Sequence, residues 1–214
     1  MPLKSDLGHL DDEDFSLLKA IDYHLEKKVE SFKERDYFYM SEVGKPLIEV
    51  YKGFKNQKPK SFNAKTKRIL ENGNYVHSRI QKLFAEMRIL IAAEIECNTP
   101  LIHGRCDAII TDGQKNYIVD IKSCSQWTYN KLFDSKPEDA LQVMMYMYFF
   151  NLEDGILLYE CKDNQDIKCF KVKLDRVRIE KILEQLKKIK ECVDKNTDYI
   201  SEQELIDLKG GESI

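Results

Sequence analysis

Apolar residues recur every three or four positions through the first 90 residues, and this spacing predicts helices. The first predicted helix covers residues 14–36 and carries one apolar face, made of Phe15, Leu18, Ile21, Leu25 and Val29. A second helix is predicted over residues 38–54 with Ser41 as its cap. A third is predicted over residues 64–90, where the tetrapeptide ENGN is a candidate break.

From about residue 92 the pattern changes to strict alternation, which predicts strands. A helix should begin near Ser135, which forms a capping box with Glu138. The predicted α/β fold therefore has a central mixed sheet flanked by helices and an added N-terminal helical subdomain. We expect one structural domain in three parts, residues 1–92, 93–175 and 176–214. The predicted strands cover residues 92–97, 101–110, 116–123, 155–162 and 167–174, and a last helix covers residues 176–195.

The second and third strands form a predicted hairpin with an unusual distribution of charge. On the second strand, alternation places the small and apolar side chains from Ile102 to Ile110 on one face and His103, Arg105 and Asp107 on the other. If the loop spans residues 111–116, Asp107 lies opposite Asp120, and Arg105 lies opposite Lys122. Like charges directly opposed across strands are destabilising, which argues against a purely structural role for this face.

Two carboxylates at cross-strand spacing can share a divalent cation. Oxygen ligands with open coordination positions suit Mg²⁺ or Mn²⁺, which retain waters and accept phosphate oxygens. Lys122 lies two residues after Asp120 on the same face, where its charge would stabilise a phosphorane-like transition state. The alternative is two surface salt bridges, Asp107 with Arg105 and Asp120 with Lys122, and the combined pattern favours catalysis.

The overall composition narrows the classes of protein further. The N-terminal residues are acidic without an apolar core, and no apolar run is long enough to span a membrane, so we expect a cytoplasmic protein with no membrane partner. The six cysteines lack zinc-type spacing and are expected to be reduced. The net charge of −3 argues against a nonspecific basic nucleic-acid binder, yet residues 44–68 hold eight basic residues and one acid. This basic stretch is interpreted as a phosphate-contacting surface or a solvated loop.

The hairpin residues resemble the PD-(D/E)XK nuclease superfamily, most closely its RecB-type and phage exonuclease branch. The resemblance runs from about Met40 to Leu174 and rests on the segments GRCDAII, VDIKS, ENGNYVHSRIQ and LQVMMYMYFF. It implies a restriction-endonuclease-like core. It also implies metal ligation by Asp107, Asp120 and the carbonyl of Ile121, a catalytic Lys122, a metal-proximal His77, and a Q-x-x-x-Y helix contributing Gln142 and Tyr146.

Other positions of the resemblance are less specific. Glu94 or Glu96 would be an additional acidic ligand, with Glu94 preferred, and Tyr146 could equally be a core residue. Some RecB-type proteins, including CRISPR-associated ones, hold an iron–sulfur cluster by four cysteines. This chain lacks that pattern, so no cluster is expected. The predicted DNA-contacting residues are Lys45, Lys52, Lys55, Lys58, Lys60, Lys65, Arg105 and Lys162.

These observations predict a nuclease that uses Mg²⁺ or Mn²⁺ to hydrolyse DNA phosphodiester bonds. The resemblance implies an exonuclease or an enzyme that processes DNA ends and single strands, with a homo-oligomer or a recombination or repair protein as further partners. The alternatives are a structure-specific endonuclease acting on junctions or flaps, a small-molecule phosphoesterase, and a non-catalytic DNA-binding protein on a nuclease scaffold.

Overall fold

The computed structural model describes residues 16–27, 32–59 and 61–199. The chain divides into two compact units, one within residues 1–33 and 58–75 and the other within residues 34–57 and 76–214. None of the helices in the described segments is long and apolar enough to cross a bilayer. The helices are α1 (Leu17–Lys27), α2 (Leu47–Lys55), α3 (Ala64–Glu86), α4 (Gln126–Asn130), α5 (Pro137–Phe150) and α6 (Arg176–Asp194). The strands are β1 (Phe38–Tyr39), β2 (Leu90–Asn98), β3 (Ile102–Thr111), β4 (Asn116–Cys124), β5 (Asp154–Cys161) and β6 (Ile167–Lys173).

The first unit consists of α1 and the beginning of α3. The Glu26 carboxylate accepts a hydrogen bond from the backbone N–H of Ala64 at 2.9 Å, which satisfies one of the free amides at the start of α3. Asp22 forms an ion pair with Arg68 at 2.5 Å. Phe15 and Val29 of the predicted apolar face lie outside the described residues.

The predicted helices over residues 14–36 and 38–54 are wrong at their boundaries. Residues 32–36 are not helical, because the side chain of Gln57 accepts a hydrogen bond from the Arg35 N–H and donates one to the Arg35 carbonyl, at 3.0 and 2.8 Å. Phe38 is fully buried and pairs with Ile102 as a strand residue. The following residues form a 3₁₀ turn, and α2 begins only after Pro46.

Two other local predictions also differ from the structure. The tetrapeptide ENGN does not interrupt α3, which is continuous over 23 residues. The predicted capping box at Ser135 does not form, since Lys136 is the N-cap of α5 and makes no side-chain cap. Pro137 in the first turn and acidic residues beside it favour the start of α5 instead.

The sheet contains parallel and antiparallel pairs, as predicted. β3 pairs antiparallel with β2 and with β4, β4 pairs parallel with β5, and β5 pairs antiparallel with β6. His103 pairs with Asn98 of β2 on one edge of β3 and with Tyr39 of β1 on the other edge. This second edge therefore pairs with β1 at the beginning of β3 and with β4 at its end. The mixed α/β fold with helices flanking a central sheet is confirmed.

Two apolar clusters cover the two faces of the sheet. On one face, Ile118 and Leu157 pack in a large cluster with residues of α2, α5 and α6. On the other face, Val119 and Ile121 pack with Val76 and Ile80 of α3. Because α3 and α5 lie on opposite faces, their polar side chains can approach the same point of the sheet only where the strands separate.

The predicted hairpin register is confirmed from Thr111 with Asn116 to Ala108 with Val119. Beyond this point β3 and β4 no longer pair, so Arg105 has no ladder partner on β4. On its other edge, Arg105 pairs with Glu96 of β2. The opposed like charges predicted from the register are therefore absent as ladder pairs among the described residues.

The single apolar face predicted for β3 is also wrong. Ile102 and Cys106 pack in the cluster with α5, whereas Ala108 packs in the cluster with α3. The change of face occurs at Asp107. This residue lies opposite Glu94, because Cys106 pairs with Ile95 and Ala108 pairs with Ala93. Glu94 has a φ of 53°, a left-handed conformation that interrupts the pleat of β2 at this position.

Candidate active site

A cluster of three possible metal ligands lies where β3 and β4 separate. His77 of α3, Glu94 of β2 and Asp107 of β3 each offer a ligand atom, and these atoms lie within 4.8 Å of one another. All three residues are partly buried. The structure thus brings together three predicted site residues that are separated by up to 30 positions in the sequence.

Gln81 connects two of these residues and was not singled out as a site residue from the sequence. Its Nε2 donates to Glu94 Oε1 at 2.7 Å and to the backbone carbonyl of Asp107 at 2.9 Å. It lies four residues after His77 on the same face of α3, so helical spacing was the one signal that could have identified it. Gln81 therefore holds the left-handed Glu94 against the point where β3 changes face.

The carboxylate of Asp107 has two different neighbours. Its Oδ2 accepts a hydrogen bond from the backbone N–H of Ile121 at 2.7 Å, and its Oδ1 lies 3.3 Å from His77 Nδ1. The hydrogen bond to Asp107 raises the pKa of His77 against the opposing effect of burial. Asp107 thus replaces a missing ladder bond between β3 and β4 with a side-chain bond, which holds the open end of the hairpin together.

Asp120 lies on β4 with its side chain buried, 2% exposed, next to Lys122. Lys122 Nζ is 2.9 Å from Asp120 Oδ2, so the ammonium group forms an ion pair with this buried carboxylate. Burial raises the pKa of Asp120 to about 6, and the positive charge of Lys122 only partly opposes this effect. Buried carboxylates are normally paired with a cation, and Lys122 supplies that partner here.

The ammonium group of Lys122 is directed toward α5. Its Nζ donates to Gln142 Oε1 at 3.0 Å and lies 3.9 Å from Asp139 Oδ1. The hydroxyl of Tyr159 donates to Asp139 Oδ2 at 2.7 Å. Burial lowers the pKa of Lys122, but Asp120 and Asp139 raise it more, so the amine is held in its charged form. Asp139 was not recognised from the sequence, because its acidic position in the first turn of α5 also fits ordinary helix capping.

Tyr146 is a buried residue one turn after Gln142 on α5. Its hydroxyl donates to the backbone carbonyl of Arg105 at 2.9 Å. A Cβ atom at Gly104 would lie 2.7 Å from this hydroxyl and 2.2 Å from Met40, so only glycine allows α5 to approach β3 this closely. Tyr146 is thus a core residue that also fixes the position of α5 relative to the strand carrying Asp107.

The donor set fits a divalent cation. Carboxylate oxygens are typical ligands of Mg²⁺ and Mn²⁺, and neutral imidazole is a common ligand of transition metals. Glu94 and Asp107 supply carboxylates beside His77. Asp120 is not part of the three-residue cluster, and its predicted role as a ligand remains a prediction.

The predicted DNA-contacting lysines of the basic stretch are divided between the two compact units. Lys45, Lys52 and Lys55 belong to the second unit, whereas Lys58 and Lys65 belong to the first. Lys55 donates to Tyr51 and to Asp198, at 2.8 and 3.2 Å, and is therefore partly neutralised. Lys60 lies outside the described residues.

The two other predicted contact residues, Arg105 and Lys162, belong to the sheet or directly follow one of its strands. Arg105 forms an ion pair with Glu94 at 2.5 Å, which places a cation directly beside the proposed ligands. Lys162 follows β5, and its backbone N–H donates to the carbonyl of Cys124 at the end of β4. The cysteines at 97, 106, 124, 161, 169 and 192 are all free.

Comparison with known proteins identifies the fold. No family model and no curated protein matches the chain. Among solved structures, the chain is similar to an alkaline exonuclease from Laribacter hongkongensis, with a TM-score of 0.59, 14% identity and coverage of 85% of this chain and 96% of that one. A phage-related exonuclease from Haemophilus somnus has a TM-score of 0.53, 15% identity and coverage of 74% and 94%.

The chain has the fold of these exonucleases. The protein SSO0001 is a further neighbour, with a TM-score of 0.53, 19% identity and coverage of 82% of this chain and 87% of that one. At identities of 14–19%, the likeness establishes the architecture alone.

Proposed function

We propose that the protein is a divalent-metal-dependent deoxyribonuclease of the PD-(D/E)XK type. One observation carries the proposal: the three-residue cluster of His77, Glu94 and Asp107 lies at the open end of the hairpin that also holds the buried Asp120 and its ion-pair partner Lys122. The fold shared with exonucleases supports the same conclusion.

The proposed ligands are His77, Glu94, Asp107, Asp120 and the backbone carbonyl of Ile121. A bound Mg²⁺ or Mn²⁺ would supply an activated water and polarise the scissile phosphate. Lys122 would stabilise the negative charge that develops on the phosphate oxygens. Gln142 orients Lys122 through its 3.0 Å hydrogen bond, and Tyr146 fixes the helix that carries Gln142.

The proposed substrate is DNA, attacked at an end or in a single strand. The printed names of the structural neighbours, an alkaline exonuclease and a phage-related exonuclease, favour exonuclease action. Arg105, Lys162 and the lysines of the basic stretch would contact phosphates, so affinity for DNA should fall with salt. An endonuclease specific for junctions or flaps is the alternative within the same chemistry.

The test is a cleavage time course on end-labelled linear DNA and on closed circular single-stranded DNA. Each substrate is incubated with Mg²⁺, with Mn²⁺ and with EDTA, and Lys122→Ala is assayed in parallel. We expect metal-dependent loss of the linear substrate, intact circles, and no cleavage by Lys122→Ala.

Other outcomes would change the proposal in defined ways. Cleavage of circles would make the protein an endonuclease. Binding of DNA without cleavage of either substrate in any metal would identify a non-catalytic protein on a nuclease scaffold. Cleavage by Lys122→Ala at the wild-type rate would contradict the assigned role of this lysine.

A further inference from the structure

Two large aromatic side chains are exposed on the segment between β4 and α5. Trp127 is 69% exposed and Phe133 is 90% exposed, the highest value among the large hydrophobic residues that the structure describes. Single exposed apolar residues are ordinary. Here two aromatic rings lie six positions apart on the short segment that follows the strand carrying Asp120 and Lys122.

The backbone of this aromatic segment, residues 125–136, is held firmly. Tyr129 and Leu132 are buried between the two exposed rings. Lys168 Nζ donates to the carbonyls of both residues, at 2.8 and 2.9 Å, and so satisfies the end of α4. The rings of Trp127 and Phe133 are therefore presented by an anchored backbone, which would lower the entropic cost of binding a ligand.

Lysines lie within and beside the aromatic segment. Lys131 Nζ lies 3.5 Å from the centre of the Trp127 ring in a cation–π contact. At the end of β4, burial raises the pKa of the Cys124 thiol, and the charges of Lys136, Lys162 and Lys168 act in the opposite direction. Aromatic rings interleaved with lysines are typical of surfaces that bind single-stranded nucleic acid, because bases stack on the rings and phosphates meet the charges.

A chain of contacts joins the aromatic segment to Lys122. Lys122 lies 3.9 Å from Asp139, and Asp139 accepts a hydrogen bond from Tyr159 at 2.7 Å. The Tyr159 hydroxyl in turn accepts a hydrogen bond from the backbone N–H of Lys136, at 3.3 Å. Lys136 is the last residue of the segment, so its end lies only three contacts away from the proposed catalytic lysine.

We propose that the aromatic segment binds unpaired nucleotides of DNA, with Trp127 and Phe133 stacking on bases and the neighbouring lysines contacting phosphates. The proposal rests on the proposed nuclease function and makes it more specific, because it assigns a preference for single-stranded DNA ends. A segment that binds unpaired bases and is connected to Lys122 by three contacts would direct a frayed or single-stranded terminus to the candidate site.

Trp127 is the only tryptophan of the chain, so intrinsic fluorescence reports on this surface directly. The Lys122→Ala protein is titrated in EDTA with a 12-nucleotide oligothymidylate and with an abasic oligomer of the same length. We expect saturable quenching by the oligothymidylate and little quenching by the abasic oligomer, since the latter has phosphates but no bases. Equal quenching by both would overturn the stacking proposal.

Anisotropy of a labelled oligothymidylate measures the affinities of the variants. Trp127→Ala combined with Phe133→Ala should bind about tenfold or more weakly, given the usual contribution of base stacking. Trp127→Phe retains an aromatic face and should bind nearly as well as the parent. Val177→Ala removes another exposed apolar side chain, 76% exposed on α6, and should leave the affinity unchanged. Unchanged affinity in the double alanine variant would overturn the proposal.

The outcomes distinguish this inference from the proposed function. Metal-dependent cleavage without base-dependent quenching would leave the nuclease standing and remove the single-strand surface. Base-dependent quenching without cleavage in any metal would do the reverse. A change in Trp127 fluorescence that follows protein concentration in the absence of DNA would identify the segment as a contact between copies of the chain and would contradict the proposal.

Discussion

The two ends of the β3–β4 hairpin hold aspartates in opposite environments. At the tip, Asp112 accepts hydrogen bonds from Tyr117 and from two backbone amides, and these bonds, that of Tyr117 foremost, lower its pKa to about 2. At the open end, burial raises the pKa of Asp120 to about 6. The fold thus surrounds one exposed carboxylate with hydrogen-bond donors, whereas the other is buried with Lys122 as its charge partner.

This difference separates a structural role from a functional one. The donors around Asp112 close the turn, as an aspartate in a loop commonly does. Burial destabilises the ionised form of Asp120 by more than Lys122 stabilises it, a cost that folding alone does not require. A bound divalent cation would offset this cost, and the same geometry would place the cation beside Lys122.

The largest expected effect is the loss of DNA cleavage when residues at the open end of the hairpin are changed. Lys122→Ala and Asp120→Asn should each lower the cleavage rate at least about 10²–10³-fold, because the first removes charge stabilisation and the second removes a proposed ligand. Asp112→Asn is the matched control at the tip and should cleave at the wild-type rate. A similar loss in all three variants would mean that the hairpin contributes to activity only through its fold.

A second effect concerns metal affinity. Gln81→Ala should weaken Mn²⁺ binding about 10–100-fold, because the groups that orient ligands commonly contribute this much. Isothermal titration calorimetry at pH 8 measures the affinity, and Gln114→Ala in the hairpin turn is the control. If Gln81→Ala binds Mn²⁺ like the wild type, the bonds to Glu94 and the Asp107 carbonyl are structural only.

The third effect is on stability without metal. The folded pKa of Asp120 lies above its unfolded value of about 3.9, so the wild-type protein should lose stability as the pH rises from about 4 through 6. Asp120→Asn should therefore raise the free energy of unfolding by about 2–3 kcal/mol at pH 8 in EDTA, since one pKa unit corresponds to about 1.4 kcal/mol.

Urea denaturation at pH 4 and pH 8 measures this difference. The gain from Asp120→Asn should be small at pH 4, where Asp120 is largely protonated in the folded state and about half protonated in the unfolded state. Asp112→Asn should show the opposite sign, with a loss of stability at pH 8 that fades below pH 4. A destabilised Asp120→Asn at pH 8 would show that the ion pair with Lys122 outweighs the burial of the carboxylate.

The smallest expected effect is on DNA binding by α2. Lys52 is exposed, whereas Lys55 is paired with Asp198 and hydrogen-bonded to Tyr51. Lys52→Ala should reduce the slope of log affinity against log salt by about 0.7–0.9, as one phosphate contact would, and Lys55→Ala should reduce it less. Equal slopes for the wild type and both variants would make this part of the basic stretch a solvated face.

Much of the local structure could be predicted from the sequence because it depends on short-range patterns. Period-two alternation identified β3, β4, β5 and β6, and the loop length set the hairpin register that the structure confirms. The boundaries failed where a distant partner intervened. Gln57 forms hydrogen bonds with both backbone groups of Arg35, and Phe38 pairs with Ile102, although both segments are compatible with a helix.

The residue types and spacing of Asp107, Asp120 and Lys122 were sufficient to propose a metal site, since few structural faces combine these charges. Only the tertiary structure shows that the side chains of His77 and Glu94 lie beside Asp107 and that the β3–β4 ladder ends before Asp107. It also shows that Gln81 contacts Asp107 and that Asp139 lies near Lys122. These facts depend on α3 and α5 packing on opposite faces of a sheet whose strands separate. Such packing is set by the burial of whole apolar faces, which no single motif encodes.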